Sequence, residues 1–329
     1  LFPVLNFNSF GDPLFYNLPA GRDYLMAVGF QWFEHAEWYS QAGLSDIGLI
    51  YLQSLTSDSM LVQLTAQAFY YLTGTLFLLY ILHKGLFSKW INEKHSLWLA
   101  FSFIAMDTFR LESIVAKPDY WLAVLLCLII VYLYEVLTEE TYENRLLFWK
   151  FILLFAGLCL SIKPTSILFL FPLGTGILFF GAHLVPWGSV SFWGAFMGAT
   201  ILGLLNSAKN QYIFESPIFP FANNIFQSPY WDREATEGMR KLAGLEQGDF
   251  IDFPQVIFQF LLGHPVSLLF VVVGLIWWIH HRIIEKFPVS LLNLLKIMSF
   301  SWIGGLILWI IFLNPHANPR YLIGFVFLT

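Results

Sequence analysis

Long apolar runs recur along this chain, and short connections that carry charge separate them. The run 121–137 reads WLAVLLCLIIVYLYEVL and includes a single charged residue, Glu135. A helix needs about 20 apolar residues to cross a hydrocarbon core of roughly 30 Å. The 329-residue chain is 57% hydrophobic, which leaves too little polar surface for a water-soluble protein of this length. The pattern predicts an all-α fold, built as a polytopic bundle of transmembrane helices.

The apolar runs predict at least eight full spans within a single transmembrane domain, 1–329. Lys163 and Pro164 interrupt what would otherwise read as one long helix, and we expect a tight hairpin there because proline removes a backbone donor. The chain starts without Met and stops inside an apolar run, so we expect a fragment of a longer protein. The predicted spans are 59–83, 96–108, 119–137, 146–162, 165–182, 189–206, 265–280 and 289–313, and a truncated span begins at 321.

The connections between the spans sort into two sides, because consecutive spans cross in opposite directions. One side has only short connections, and these are rich in Lys and Arg, as is typical of the cytoplasmic face. The long connections 1–58 and 207–264 then lie on the outer side, toward a periplasm, the cell exterior or a lumen. The basic residues of the inner side are Lys84, Lys89, Lys94, Arg145, Arg282 and Lys286.

The first outer loop contains a stretch with helical periodicity. Leu25, Val28, Gly29, Trp32 and Ala36 share one face of that helix, and charged residues lie off it. An apolar face with aromatic rings is typical of a helix that lies in the membrane interface. A surface helix packed on the bundle is the alternative interpretation.

Charged residues gather on the outer side. The stretch 109–121, FRLESIVAKPDYW, carries four of them in a chain where 12% of residues are charged. Charges that converge at one membrane edge can bind an anion, with cations holding phosphate and a carboxylate acting as base. Lys163 is the strongest candidate because almost no loop is there to solvate it, whereas each of the others could be a solvated loop charge. The candidates are Asp12, Arg110, Glu112, Lys117, Asp119, Lys163 and Arg320.

Aromatic residues and amides occur together in the longest outer loop. The stretch 215–232, ESPIFPFANNIFQSPYWD, includes the adjacent Asn223 and Asn224 as well as Tyr230. Aromatic faces stack on pyranose rings, while amides bind hydroxyl groups. We therefore expect this loop to line a sugar-binding cleft. A loop that packs on lipid is the alternative. In the first outer loop, Asp12 lies on a bend with Pro13, and Tyr16 follows four residues later as a further candidate for substrate binding.

Composition and residue spacing also bear on nucleic-acid binding, disulfide bonds and metal sites. The net charge is −5 and no basic block occurs, so nucleic acid is not expected as a partner. Cys127 and Cys159 lie inside apolar runs and read as small buried hydrophobes, with no disulfide framework or thiolate metal site. A divalent cation held by Asp12 and Asp119 is an alternative that the sequence leaves open.

Five motifs carry a resemblance to a known family. GDPLFYNLP, AKPDYWLAVLL, LSIKPTSILFLFPLG, SPIFPFANNIFQSPYW and NPRYLIGF occur in this order along nearly the whole chain. They resemble successive landmarks of bacterial integral-membrane glycosyltransferases of the GT-C superfamily, which includes protein mannosyltransferases and aminoarabinose lipid A transferases. The resemblance implies a GT-C fold in the bacterial inner membrane, with the active face toward the periplasm or exterior.

The resemblance also implies an activity and roles for residues. It implies inverting transfer of a sugar from a polyprenyl-phosphate carrier in the membrane lipid to an acceptor that the motifs do not identify. Asp12 corresponds to the aspartate expected as base. Asp119 and Lys163 are expected near the carrier phosphate or the acceptor, and Arg320 with Tyr321 matches a late Arg-Tyr element that contacts phosphate.

The chain departs from the family pattern at two points. Asn17 stands where the family often has His, and Asp12 stands alone where a carboxylate pair is common. These departures favour a second interpretation, a non-catalytic GT-C-like scaffold subunit of a larger membrane complex. A transporter or flippase is the third interpretation and ranks last. Transporters bind substrate near the bilayer midplane, whereas these charges cluster at one edge of the membrane.

Overall fold

The computed structural model describes residues 74–86, 92–104, 118–217, 226–230 and 296–301, with a few single positions elsewhere. All regular structure among these residues is helical, and no β-strand occurs among them. The first elements are α1, Thr75–Tyr80, the π-helical segment Ile81–Leu86 that continues it, and α2, Glu93–Ile104. The longer elements are α3, Pro118–Thr138; α4, Tyr142–Ile162; α5, Ile167–Gly181, between the 3₁₀ turns Pro164–Ser166 and Ala182–Leu184; and α6, Val190–Phe214.

Four helical segments are long and apolar enough to cross a membrane. They confirm the spans predicted at 119–137, 146–162, 165–182 and 189–206. Several large apolar side chains on them are exposed, and exposed apolar surface of this kind indicates contact with lipid. The chain is therefore a helical membrane protein. The four segments are Trp121–Thr138, Tyr142–Ile162, Pro164–Leu184 and Val190–Phe214.

The remaining predicted spans lie wholly or partly outside the described residues. The described part of span 59–83 includes α1 and the start of its π-helical continuation, and α2 covers part of span 96–108. Residues 296–301, within span 289–313, are helical and pack against α5, since a Cβ atom on Gly176 would lie 3.1 Å from the carbonyl oxygen of Ile297.

Helix α3 supplies the largest part of the buried core. Leu126, Ile129 and Leu133 are each 1% exposed, and they belong to one hydrophobic cluster with residues of α4 and α5. Tyr132 of α3 packs on the next helix, with its ring centroid 5.0 Å from that of Phe151. A helix that is apolar on all sides suits a central position in a bundle.

The chain reverses between α4 and α5 at Lys163. This residue has an extended backbone, φ −148° and ψ 107°, and Pro164 opens the following 3₁₀ turn. Near the other ends of the two helices, the indole nitrogen of Trp149 donates a hydrogen bond of 2.9 Å to the carbonyl oxygen of Leu184. The two helices are therefore antiparallel, which confirms the hairpin predicted at this point.

Helices α4 and α6 lie parallel and in close contact. A Cβ atom on Gly157 would lie 2.5 Å from the carbonyl oxygen of Ala199, and one on Gly203 would lie 3.0 Å from Cβ of Leu160. Small residues allow the backbones of membrane helices to approach closely, which strengthens packing where no hydrophobic effect operates between helices.

Helix α6 is longer than the sequence analysis predicted. The predicted span ends at Asn206 and the outer loop was expected to begin at 207, whereas the helix continues to Phe214. The start of that loop is therefore corrected. The polar residues in the last two turns, Asn206 and Asn210, are buried inside the bundle, so they do not mark the end of the helix.

Candidate functional site

The direction of the helices gives the bundle two chemically different ends. Helices α3 and α5 begin at the end where α4 and α6 finish, because consecutive helices are antiparallel and α4 is parallel to α6. We call this end, which includes Lys163, the Lys163 end. The opposite end includes the connections 139–141 and 185–189, and we call it the Trp187 end.

The Trp187 end carries a group of indole rings. The indole nitrogens of Trp149, Trp187 and Trp193 donate hydrogen bonds of 2.9, 3.0 and 2.8 Å to the backbone carbonyl oxygens of Leu184, Ala182 and Trp187. Tryptophan with a bonded N–H and an apolar ring is typical of the level where lipid headgroups begin. This arrangement indicates one boundary of the membrane.

The connection at the Trp187 end between α3 and α4 is polar. The carboxylate of Glu139 accepts hydrogen bonds from the backbone N–H of Thr141 at 3.0 Å and from the Thr141 hydroxyl at 2.8 Å. The backbone hydrogen bond and then the hydroxyl lower the pKa of Glu139 below its usual value, because both stabilise the ionised carboxylate. This end therefore carries a polar connection whose carboxylate is held ionised by its own backbone and hydroxyl neighbours.

Lys163 lies at the opposite end, where two apolar helices meet. Its backbone N–H donates to the carbonyl oxygen of Cys159 at 2.9 Å, and its own carbonyl oxygen accepts from the N–H of Ser166 at 2.9 Å. These bonds hold the residue in the gap between α4 and the 3₁₀ turn. The residue is half-buried, so its ammonium group has less water around it than that of a lysine in a solvated loop.

Five buried polar side chains lie toward the same end. Three come from the end of α4, the 3₁₀ turn and the residues just after α6, and two lie on α6. They have side-chain oxygen or nitrogen atoms without a hydrogen-bond partner in the described part of the chain. We call them the polar cluster: Ser161, Ser166, Asn206, Asn210 and Ser216, which are 1%, 0%, 4%, 2% and 1% exposed.

The chain after α6 folds back over the end of that helix. The hydroxyl of Ser228 donates a 2.5 Å hydrogen bond to the carbonyl oxygen of Phe214, and the ring of Tyr230 contacts the Phe214 ring edge-on at 6.4 Å. Glu215 and Gln227 have positive φ values of 56° and 50°, which are uncommon for residues other than glycine. The segment 226–230 therefore covers the end of α6 beside the polar cluster.

Two side chains of the predicted site, Lys163 and Tyr230, are described by the structure. Asp119 is the second residue of α3, so its backbone lies at the Lys163 end of the bundle. Tyr230 is half-buried, and its ring packs on that of Phe214 at the end of α6. The remaining predicted site residues lie outside the described residues: Asp12, Tyr16, Arg110, Glu112, Lys117, Asn223, Asn224, Arg320 and Tyr321.

Sequence reasoning missed the polar cluster. Asn206 and Asn210 are spaced i and i+4 in the stretch ILGLLNSAKNQYIF, so they lie on one face of a helix. Polar residues inside a membrane helix usually face the bundle and mark a functional path, and this signal was available. It was not used because the helix was expected to end at 206.

A metal site does not emerge from the described residues. No group of three or more His, Cys, Asp or Glu side chains lies close enough together to hold an ion in that part of the chain. The side chains of Asp12 and Asp119, which the sequence analysis names as possible ligands of a divalent cation, lie outside the described part of the structure.

Comparison of this chain with protein-family models, with curated proteins and with solved structures gave no match.

Proposed function

We propose that this chain is a GT-C-like membrane glycosyltransferase that transfers a sugar from a polyprenyl-phosphate carrier to an acceptor at the outer face of a bacterial inner membrane. The observation that carries the proposal is the position of Lys163, half-buried where two membrane-length helices meet. Asp119 begins α3 at the same end. A cation at a lipid-facing edge suits a ligand that joins an apolar tail to a phosphate.

The apolar surface of the helices supports a lipid-borne donor. Phe171 and Phe179 of α5 are 61% and 71% exposed, and α5 begins at Ile167, four residues after Lys163. An isoprenoid chain lying along α5 would bring its phosphate to the start of that helix. Lys163 directly precedes the 3₁₀ turn that leads into this helix, so its ammonium group is suited to that phosphate.

The proposed chemistry combines Lys163 with residues that the sequence motifs supply. Asp12 accepts the proton of an acceptor hydroxyl, whose oxygen forms a bond to C1 of the sugar. The bond between C1 and the phosphate oxygen breaks on the opposite face, and its electron pair leaves with the phosphate, so the configuration at C1 inverts. Lys163, with Arg320 and Arg110, neutralises the developing charge on the phosphate. Positioning and electrostatic stabilisation lower the barrier without a protein acid.

The test compares two lysines on the same helical hairpin. Membranes containing wild type, Lys163→Gln, Lys163→Arg or Lys150→Gln receive radiolabelled polyprenyl-phosphate sugars, and release of polyprenyl phosphate is measured. Hydrogen bonds to charged groups contribute about 1.5 to 3 kcal/mol, so Lys163→Gln should lose roughly 10- to 150-fold in turnover. Lys150, near the beginning of α4 and the Trp187 end, is the matched control, and its variant should keep full turnover.

Two results would contradict the proposal. Equal turnover of wild type and Lys163→Gln would remove this lysine from the site. Absence of any release by wild type, with binding of a membrane protein partner instead, would favour the non-catalytic scaffold.

A further inference from the structure

Hydroxyl groups elsewhere in this bundle are bonded to the helix that carries them. Thr175, Thr200 and Ser301 donate hydrogen bonds of 2.8, 2.9 and 2.6 Å to the carbonyl oxygens four residues earlier. This is the ordinary way in which Ser and Thr are satisfied inside membrane helices. The hydroxyls of Ser161 and Ser166 lack such a bond within the described part of the chain, although both residues are at most 1% exposed.

One of the two buried asparagines, Asn206, lies at the level of these serines. Gly203 of α6 packs against Leu160 of α4, and Asn206 follows Gly203 by about one helical turn, or roughly 5.4 Å. Because α4 and α6 are parallel, that step brings Asn206 to the level where α4 ends and the 3₁₀ turn begins. The 3₁₀ turn itself contacts α6. Ser161, Ser166 and Asn206 are therefore neighbours in the same layer of the bundle, with Asn210 one turn beyond.

An unsatisfied amide inside a membrane protein is costly. A buried polar group without a hydrogen bond keeps the full cost of its desolvation and so destabilises the fold. Both the amide oxygen and the amide nitrogen of Asn206 are unpaired in the described structure, as is the amide oxygen of Asn210. Apolar residues at these positions would pack α6 against its neighbours without that cost. Groups kept in this state are suited to bind something that enters from outside the chain.

We infer that Asn206 and Asn210 determine sugar specificity, binding hydroxyl groups of the sugar that the donor carries. This inference rests on the proposed function. Amides and hydroxyls are neutral and combine donors with acceptors, so the polar cluster matches a polyhydroxylated ring. Lys163, at the end of α4, is suited to the phosphate that joins this ring to the lipid. The site thus has a cationic part for the carrier and a neutral part for the sugar.

The experiment separates these two parts with three probes. The full chain in lipid nanodiscs is titrated with polyprenol, with polyprenyl phosphate, and with polyprenyl phosphate linked to a hexose, a 2-acetamido sugar or a 4-amino pentose. The dissociation constant and the midpoint of thermal unfolding are measured for wild type, Asn206→Leu, Asn210→Leu and Lys163→Gln. Asn144→Leu is the matched control, since Asn144 is exposed at the Trp187 end.

The inference predicts opposite effects on stability and binding. Without ligand, Asn206→Leu should unfold at a higher temperature than wild type, because an unpaired buried amide is gone. It should bind polyprenyl phosphate as tightly as wild type does. Its dissociation constant for polyprenyl phosphate linked to the preferred sugar should be about fivefold to tenfold higher than that of wild type, as expected for the loss of one or two neutral hydrogen bonds. Lys163→Gln should weaken binding of both phosphorylated probes, and Asn144→Leu should leave the binding of every probe unchanged.

The failure of the inference and the failure of the proposed function give different results. If the wild type gains affinity from a sugar and both asparagine variants keep that gain, the inference is wrong and the proposed function stands. The inference is also wrong if no sugar in the panel adds affinity while polyprenyl phosphate still binds better than polyprenol. If polyprenyl phosphate binds no better than polyprenol, the proposed function is wrong and the inference fails with it. If Asn206→Leu does not fold, the same comparison of dissociation constants is made with Asn210→Leu.

Discussion

Gly157 of α4 packs directly against the backbone of Ala199 in α6: a Cβ atom on the glycine would lie 2.5 Å from the alanine carbonyl oxygen. Backbone atoms cannot move aside as the end of a flexible side chain can. This contact therefore sets how closely α4 and α6 approach. The same packing fixes the level at which Asn206 meets the end of α4.

Replacement of Gly157 by alanine should destabilise the bundle. The added methyl group must push the two helices apart, and overpacking of this kind typically costs about 1 to 3 kcal/mol. Thermal unfolding of the purified protein in detergent measures the effect as a lower midpoint. Gly198→Ala in α6 is the control, since no atom of another described element lies within 4 Å of the position of its Cβ and alanine favours a helix. Equal midpoints for the two variants would show that α4 and α6 are not in close contact.

Replacement of Trp149 by phenylalanine should loosen the hairpin of α4 and α5. The indole is 4% exposed, and its N–H is bonded to the carbonyl oxygen of Leu184. Phenylalanine keeps most of the apolar contact but leaves that carbonyl without this donor, at a cost of about 1 to 3 kcal/mol. Trp193→Phe serves as the comparison, because Trp193 is 44% exposed and water or headgroups can replace its bond. If Trp193→Phe lowers the midpoint of thermal unfolding more than Trp149→Phe does, the account is contradicted.

Cysteine labelling tests whether the two ends of the bundle face opposite sides of the membrane. Cys127 and Cys159 are buried and should not react, so a single introduced cysteine reports its own position. In sealed right-side-out vesicles, a membrane-impermeant maleimide should label Lys163→Cys and leave Glu140→Cys unlabelled. In inverted vesicles the pattern should reverse. Labelling of both positions from one side would show that α4 does not cross the membrane.

The four membrane-length helices could be predicted from the sequence, because a long apolar run has few other stable states in lipid. The position of Lys163 at a chain reversal could also be predicted, since a lysine and a proline between two such runs leave no room for a loop. Both inferences use information that lies within a few residues along the chain. They need no knowledge of which helices are neighbours.

The polar cluster could not be predicted in the same way. Its members come from α4, the 3₁₀ turn, α6 and the residues just after α6, and the level at which they lie depends on the parallel packing of α4 with α6. Nor does the sequence distinguish Gly157, which meets a neighbouring backbone, from Gly198, which meets nothing within 4 Å. The apolar run predicts a span that ends at 206, whereas the structure buries Asn206 between helices and continues α6 to Phe214.

Photocrosslinking tests the central claim, that the Lys163 end binds the headgroup of a lipid-linked sugar. A polyprenyl-phosphate analogue with a diazirine next to the phosphate is photolysed with the wild-type protein in nanodiscs, and the labelled peptides are mapped by mass spectrometry. The account predicts labelling concentrated in residues 161–167 and 206–216, reduced by Lys163→Gln and by excess unlabelled polyprenyl phosphate. Labelling concentrated around Trp149, Leu184 and Trp187, or spread evenly along the apolar helices despite excess competitor, would contradict it.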